Sequence, residues 1–144
     1  MVNMQYSEIL EANRALEEKL DGPKYKIGIL SNIMVHQLKE ICEFSLRSKS
    51  VFAEVTLGEY DNIVQDSIKF KCFDAVIVFW ESSNFLEGLQ YKIDSMSKKQ
   101  FSQITKKVKL EIDLVLSALE NVPTLIINRF SSLIFAHLKL SKGS

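Results

Sequence analysis

The chain has 144 residues, of which 47% are hydrophobic and 25% charged, a size that suits one domain burying roughly two-thirds of its unfolded surface and a composition that excludes a disordered chain. Eighteen basic residues balance eighteen acidic ones, so no global field draws in nucleic acid or an acidic membrane. No run of about eighteen apolar residues is present to span a bilayer, and the charged N-terminus lacks the apolar core of a secretory signal. Cys42 and Cys72 sit in apolar patterns without metal-site or Cys-x-x-Cys spacing. They read as reduced core thiols, and the protein as cytoplasmic.

In chain order, Tyr6, Ile9, Leu10, Asn13, Leu16 and Leu20 recur at helical steps. They predict an amphipathic helix over 5–21, within an N-terminal segment 1–22 that packs on the domain and stops at Asp21-Gly22-Pro23. The apolar run Tyr25–Leu30 predicts a buried strand delivering Ser31 and Asn32 to a helix. Asn32 is the expected N-cap of that helix, which runs to Arg47 with Met34, Leu38, Ile41, Cys42 and Leu46 on one face. Val51–Val55 reads as a second strand, Gly58-Glu59-Tyr60-Asp61 as a turn, and Asp61 as the cap of a helix through Ile63, Val64 and Ile68. Ala75–Trp80 is apolar at every position, as a central strand covered on both faces requires, and breaks into the polar loop Glu81-Ser82-Ser83-Asn84.

Phe85, Leu86, Leu89 and Ile93 suggest a further helical stretch. A longer helix follows, with Phe101, Ile104, Val108, Ile112, Val115 and Leu119 facing inward. Pro123–Ile127 is a fourth strand, Ser131 or Ser132 caps a last helix containing Leu133, Ile134, Phe135 and Leu138, and Ser141–Ser144 reads as a linker remnant. The alternation over 23–140 predicts a three-layer α/β/α sandwich with a mostly parallel sheet, Rossmann- or flavodoxin-like. Four strands are fewer than such open sheets usually have, so the chain is expected to stop before its parent domain does.

Ligands of such folds bind beyond the carboxyl ends of the strands, here Ser31-Asn32, Thr56 to Asp61, Glu81 to Asn84 and Asn128-Arg129. The turn Leu30-Ser31-Asn32 has no glycine, so it is no phosphate loop, and no Gly-x-Ser-x-Gly elbow is present. His36, one turn into its helix and partly exposed, is far in sequence from His137, and no carboxylate completes a set; neither metal nor cofactor is expected. Lys98, Lys99, Lys106, Lys107 and Lys109 alternate with inward apolar positions, as on a solvated helix face. Trp80 reads as packing, and Arg129 as a partner for a phosphate or carboxylate.

Several blocks carry a resemblance: Lys26-Ile27-Gly28-Ile29-Leu30-Ser31-Asn32, Gln37-Leu38-Lys39, Gly58-Glu59-Tyr60-Asp61-Asn62-Ile63-Val64-Gln65 and Phe73-Asp74-Ala75-Val76-Ile77-Val78. With Ser7-Glu8-Ile9-Leu10 and Asn13 ahead of them, they resemble the N-terminal region of FkbH-like proteins over most of residues 5–130. The resemblance implies a domain similar to SGNH hydrolases, joined to a downstream phosphatase-like domain of the haloacid dehalogenase superfamily. Some members load a glyceryl unit onto an acyl carrier protein, and others occur in surface-glycan gene clusters. The Asp-x-Asp of the phosphatase-like part is not found in this chain.

Carried over residue by residue, the resemblance makes Ser31 the candidate nucleophile, with Ile29 and Leu30 where SGNH hydrolases have Gly and Asp. Asn84, in Ser83-Asn84, is the nearest match to the oxyanion-hole asparagine of Gly-x-Asn-Asp. The closing Asp-x-x-His is missing, Ile134 standing three residues before His137. The expectation is therefore a non-catalytic or vestigial module that recognises a substrate or acyl carrier. Its strand-end residues are Asn32, Glu59, Tyr60, Asp61, Glu81, Ser82, Ser83 and Arg129. The rivals are a serine esterase or acyltransferase using Ser31, with Asn84 as oxyanion donor, and a structural domain that associates through an uncovered sheet edge or the leading helix.

Overall fold

The computed structural model of the protein describes residues 4–84, 92 and 95–129. Its elements are α1 (Tyr6–Lys19), β1 (Tyr25–Ser31), α2 (Leu38–Arg47), β2 (Ala53–Leu57), α3 (Ile63–Lys69), β3 (Ala75–Phe79), a 3₁₀ turn (Ser82–Asn84), α4 (Lys98–Ala118) and β4 (Thr124–Ile127). The strands pair in the order β2-β1-β3-β4, all parallel, as the alternation of elements predicts. The expected helical stretch from Phe85 to Ile93, the last helix through Leu138 and the tail from Ser141 lie outside the described residues.

Successive residues of a strand face opposite sides, and this divides the core in two. On one side Ile27, Ile29, Ala53, Val55 and Ala75 pack under Leu38, Cys42 and Leu46 of α2. On the other, Leu30, Val76, Val78 and Trp80, just past β3, pack with Ile63, Phe70, Val115 and Leu119 from the α3 and α4 layer. Gly28 allows the close approach of that second layer. A Cβ there would lie 2.5 Å from a ring carbon of Phe70, so any larger residue forces the ring away from the sheet.

Helix α1 packs on α2, outside the sheet, and the joint between them is polar. Glu43 is buried in α2, where it accepts from Asn13 Nδ2 at 3.0 Å and from the Val55 N–H at 2.9 Å. Arg47, also buried, donates from Nε to the Ala53 carbonyl at 3.0 Å and from one terminal nitrogen to Asn13 Oδ1 at 3.1 Å. Lys39 Nζ donates to the Val55 carbonyl at 2.9 Å. Tyr25 N–H bonds to Phe52 and Gly58 N–H to Ile29, so the even-numbered residues of β2 turn their backbone toward β1 and the odd ones turn it outward. Glu43, Lys39 and Arg47 thus occupy outward backbone groups of Ala53 and Val55 on the free edge of β2. A strand edge that would otherwise template pairing is covered.

Several boundaries differ from expectation. Helix α2 starts at Leu38 with Gln37 at its N-cap, not at Asn32, because the Asn32 side chain is bonded elsewhere. Residues 33–37 are loop, so Met34 is 74% exposed and His36 lies in the turn before the helix. The second strand begins at Ala53, since Val51 still donates back to Leu46 at the end of α2. Asn62, not Asp61, is the N-cap of α3, and Ile68 is exposed while Asp66 and Ser67 are buried in its place. Phe101 is exposed, because α4 reaches the core further along, at Ile112 and Val115.

Truncating Arg47 removes one of the two cations beside the buried Glu43 carboxylate, leaving Lys39 at 3.7 Å, and strips the Ala53 carbonyl and Asn13 Oδ1 of their donor. Arg47→Ala is expected to cost about 3 kcal/mol of stability, read as a lower urea midpoint.

Candidate functional site

The order β2-β1-β3-β4 sends the chain one way from β1 and the other way from β3. The carboxyl ends of β1 and β3 are therefore the topological switch point at which such sheets bind ligands. Asn32, one residue past β1, is fully buried there. Its Oδ1 accepts the Glu81 N–H at 2.7 Å and its Nδ2 donates to the Glu81 carbonyl at 3.0 Å. Asn128, one residue past β4, does the same from the other side: Oδ1 accepts the Trp80 N–H at 2.6 Å, and Nδ2 donates to the Trp80 carbonyl at 3.0 Å. Each carboxamide stands in for a peptide unit and carries the ladder one residue beyond the strands. The chain leaving β3 is gripped on both sides, and the turn Ser82–Asn84 is set by that grip.

Ser31 ends β1 and is only 5% exposed. Its hydroxyl donates to the Ile33 carbonyl at 2.6 Å, and its own carbonyl accepts the Asp61 N–H at 3.1 Å. Asp61 has φ 56°, a left-handed conformation that Asp tolerates better than most residues. The loop holding it is set by Asp66, which accepts the Glu59 N–H at 2.7 Å, Asn62 Nδ2 at 3.1 Å and the Lys69 ammonium at 2.6 Å. Gly58 fits beside that carboxylate because a Cβ would lie 2.9 Å from Asp66 Oδ2. Burial pushes the Asp66 carboxyl up, but the Lys69 and Glu59 bonds, the charge of Lys69 and the Asn62 bond outweigh it and leave the pKa below the ordinary value.

The structure gathers Ser31, Asn32, Asp61, Glu81, Ser82 and Asn84 around the ends of β1 and β3. Asn84 turns its Nδ2 to the Asn32 carbonyl at 2.8 Å, and Ser82 Oγ donates to Glu81 Oε1 at 3.3 Å. Glu59 and Tyr60 project into solvent from the loop after β2, and Arg129 is exposed past β4. The side chain of Ser83 lies outside the described residues. Beside the cluster is a polar cleft of about 170 Å³, walled by Asp61, Gln65, Asn84, Lys107 and Glu111 over buried Trp80. Lys107 and Glu111, one turn apart on α4, form an ion pair of 3.8 Å along one wall. One cation, two carboxylates and two amides suit a small polar ligand held by hydrogen bonds. Among the described residues, no three His, Cys, Asp or Glu side chains are placed to hold a metal ion.

Asp66, Gln65, Lys107 and Glu111 were not site candidates from sequence, and Asn128 was noted only as part of a strand end. Asn128 had a readable signal, since it follows its strand just as Asn32 follows β1. The other four come into the site only through the packing of α3 and α4.

Fold and site define a parallel α/β domain whose switch point is built to hold a loop in place. A solved structure similar to it is the crystal structure of the N-terminal part of the protein BF1531 from Bacteroides fragilis, described as containing a phosphatase domain and complexed with Mg. The TM-score is 0.66 at 13% identity, over 96% of this chain and 37% of that one, so the likeness is one of fold. A domain placed in the N-terminal part of a phosphatase-domain protein fits the architecture that the FkbH-like resemblance implies. No protein-family model matches the chain, and no curated protein does. No described helix is long and apolar enough to cross a membrane.

Asn32→Asp replaces the donor to the Glu81 carbonyl with an acceptor in a fully buried position. A loss of about 2 kcal/mol is expected, with amide exchange of Glu81 and Asn84 accelerating before that of the core. Because the folded-state pKa of Asp66 is lowered, its stabilising contribution is complete above the ordinary value of 3.8 and fades as the pH falls through the folded value. An Asp66→Asn variant should be less stable at neutral pH and show a flatter acid limb in a pH series of urea midpoints.

Proposed function

We propose that the domain is a non-catalytic recognition module working beside a phosphatase-like catalytic domain. It holds a substrate, or the group borne by an acyl carrier protein, at the carboxyl ends of its strands. The observation that carries this reading is the state of Ser31. Its hydroxyl is buried and donates to a backbone carbonyl two residues on, and no histidine or carboxylate among the described residues bonds to it. A serine without a base keeps its proton at neutral pH and is a poor nucleophile. The Asn84 amide, the candidate oxyanion donor, is turned to the Asn32 carbonyl. The neighbouring cleft supports the recognition half of the reading, offering charged and amide groups in a fold that binds ligands at this end. The setting in secondary-metabolite or surface-glycan biosynthesis follows from the FkbH-like resemblance.

Two measurements test the reading. Hydrolysis of p-nitrophenyl acetate should stay at the uncatalysed rate for the chain and for Ser31→Ala alike; turnover that vanishes in the variant would make the domain an esterase. An NMR titration with a phosphopantetheine-bearing carrier protein should shift the amides of Asp61, Asn84 and Lys107. Spectra undisturbed at millimolar partner would remove the carrier from the proposal.

A further inference from the structure

Helix α4 outreaches the sheet it packs on. It joins β3 to β4, which are parallel, so it runs back against the strands and its amino end lies beyond their carboxyl ends. Its hold on the core is at Ile112, Val115 and Leu119. Lys98 lies about 25 Å along the helix axis from Val115, while a strand the length of β3 spans only about 17 Å. The first turns therefore project past the sheet. From Lys98 to Leu110 no residue is buried, and only Ile104 and Val108 are half-buried.

The projecting part is basic. Between Lys98 and Leu110 stand five lysines and no acidic residue, in a chain that is neutral overall. Lys107 lines the cleft and pairs with Glu111. The other four share another flank, because Lys106 follows Lys99 by two helical turns and Lys109 follows Lys98 by three. All four are exposed, and among the described residues none is in an ion pair. The residues outside the described set contain two acids, Glu87 and Asp94, and two bases, Lys139 and Lys142, which cannot balance five lysines.

Helix stability does not call for this arrangement. Positive side chains in a first turn oppose the helix macrodipole, and Lys98 and Lys99 stand there without an acid. Lys106 and Lys109, three residues apart, repel each other. Solvated helix faces mix both signs, which α4 does only after Leu110.

The pattern selects an anionic occupant of one kind. Four cations spread over about 16 Å of helix do not converge on a single phosphate. The remainder of the chain carries five more acids than bases, which repels an extended polyanion such as nucleic acid or an anionic bilayer. Leu110, 59% exposed one turn after Lys106, adds an apolar spot beside the charges. Carboxylates around an apolar spot are found together on the surface of a folded acidic protein.

We infer that the stripe of Lys98, Lys99, Lys106 and Lys109 is the docking surface for an acidic protein, which it steers to the mouth of the cleft lined by Lys107. This role rests on the recognition module proposed above: the carrier docks on α4 and offers its appended group to the cleft.

The probe is the phosphopantetheine-bearing carrier protein, titrated by NMR against the chain in parallel with the same carrier lacking its arm. Both forms should shift the amides of Lys99, Lys106 and Leu110, and binding should weaken about tenfold as salt rises from about 50 to about 300 mM. Lys98→Glu combined with Lys99→Glu should also weaken it about tenfold. Because acids suit a first turn, the urea midpoint of that variant should stay level or rise, so lost binding is not lost folding.

Undiminished affinity in the variant, indifference to salt, or unshifted amides with either form at millimolar carrier would each overturn the docking surface. Tighter binding of duplex DNA or of phosphatidylglycerol vesicles would assign the stripe to a phosphate polyanion instead. Shifts along α4 with none at Asp61 and Asn84, whichever form is added, would end recognition of the appended group and leave the docking surface standing, so the two failures are distinguishable.

Discussion

Every backbone N–H and C=O of a parallel sheet needs a partner, and a sheet of four short strands runs out of neighbouring strands quickly. Here the shortfall is met by side chains. Along the outer edge of β2, Glu43, Lys39 and Arg47 take the outward groups of Val55 and Ala53. Past the end of β3, where pairing with β1 and β4 stops, Asn32 and Asn128 take both groups of Glu81 and Trp80. In the loop after β2, the Asp66 carboxylate takes the N–H of Glu59. These few polar side chains are buried where burial without a partner would be costly, and each is matched to a specific backbone group.

That demand shapes what the switch point can do. Asn32 and Ser31 stand where this fold class binds ligands, yet the Asn32 carboxamide and the Ser31 hydroxyl are committed to backbone groups. A group fixed this way positions others well and reacts poorly, because chemistry would require it to give up a bond that the fold uses. The side chains left facing the cleft, among them Asp61, Gln65 and Lys107, come from loops and helices around the sheet. Holding the loop and meeting the ligand are therefore divided between two sets of residues.

Much of this was legible in the sequence, because hydrophobic runs report burial directly. Tyr25–Leu30 and Ala75–Trp80 announced central strands, and the steps from Ile9 to Leu20 announced α1. The buried polar residues were harder. Glu43 and Arg47 carry charges and look like solvent positions of α2, and nothing local says that β2 needs them. Asp66 likewise interrupts the apolar face of α3, so Ile68 was assigned inward in its stead. Asn32 was recognised as special but read as a cap, since a local bond to its own helix is the simplest use of an asparagine at that point. Its true partner lies 49 residues away, which only the pairing of β1 with β3 brings within reach.

The same constraint distinguishes the β2 edge of the sheet from its other flank. An edge meant to be terminal is sealed, as β2 is by α2, and a joint meant to be permanent is cross-linked, as α1 is to α2 through Asn13. On the α2 side of β3 and β4 the described residues place no charge: Ala75, Ile77 and Phe79 from β3, and Thr124 and Ile126 from β4. Natural sheets guard apolar faces that are to remain in water, with a charged or polar residue at alternate positions. Here β4 exposes Thr124 and, two residues on, Ile126, the latter paired with Ile77 of β3. The three charged side chains at the β2 edge serve backbone groups that would otherwise stand unpaired, so the sealing of that flank follows from hydrogen bonding and not from the hydrophobic pattern of the strands.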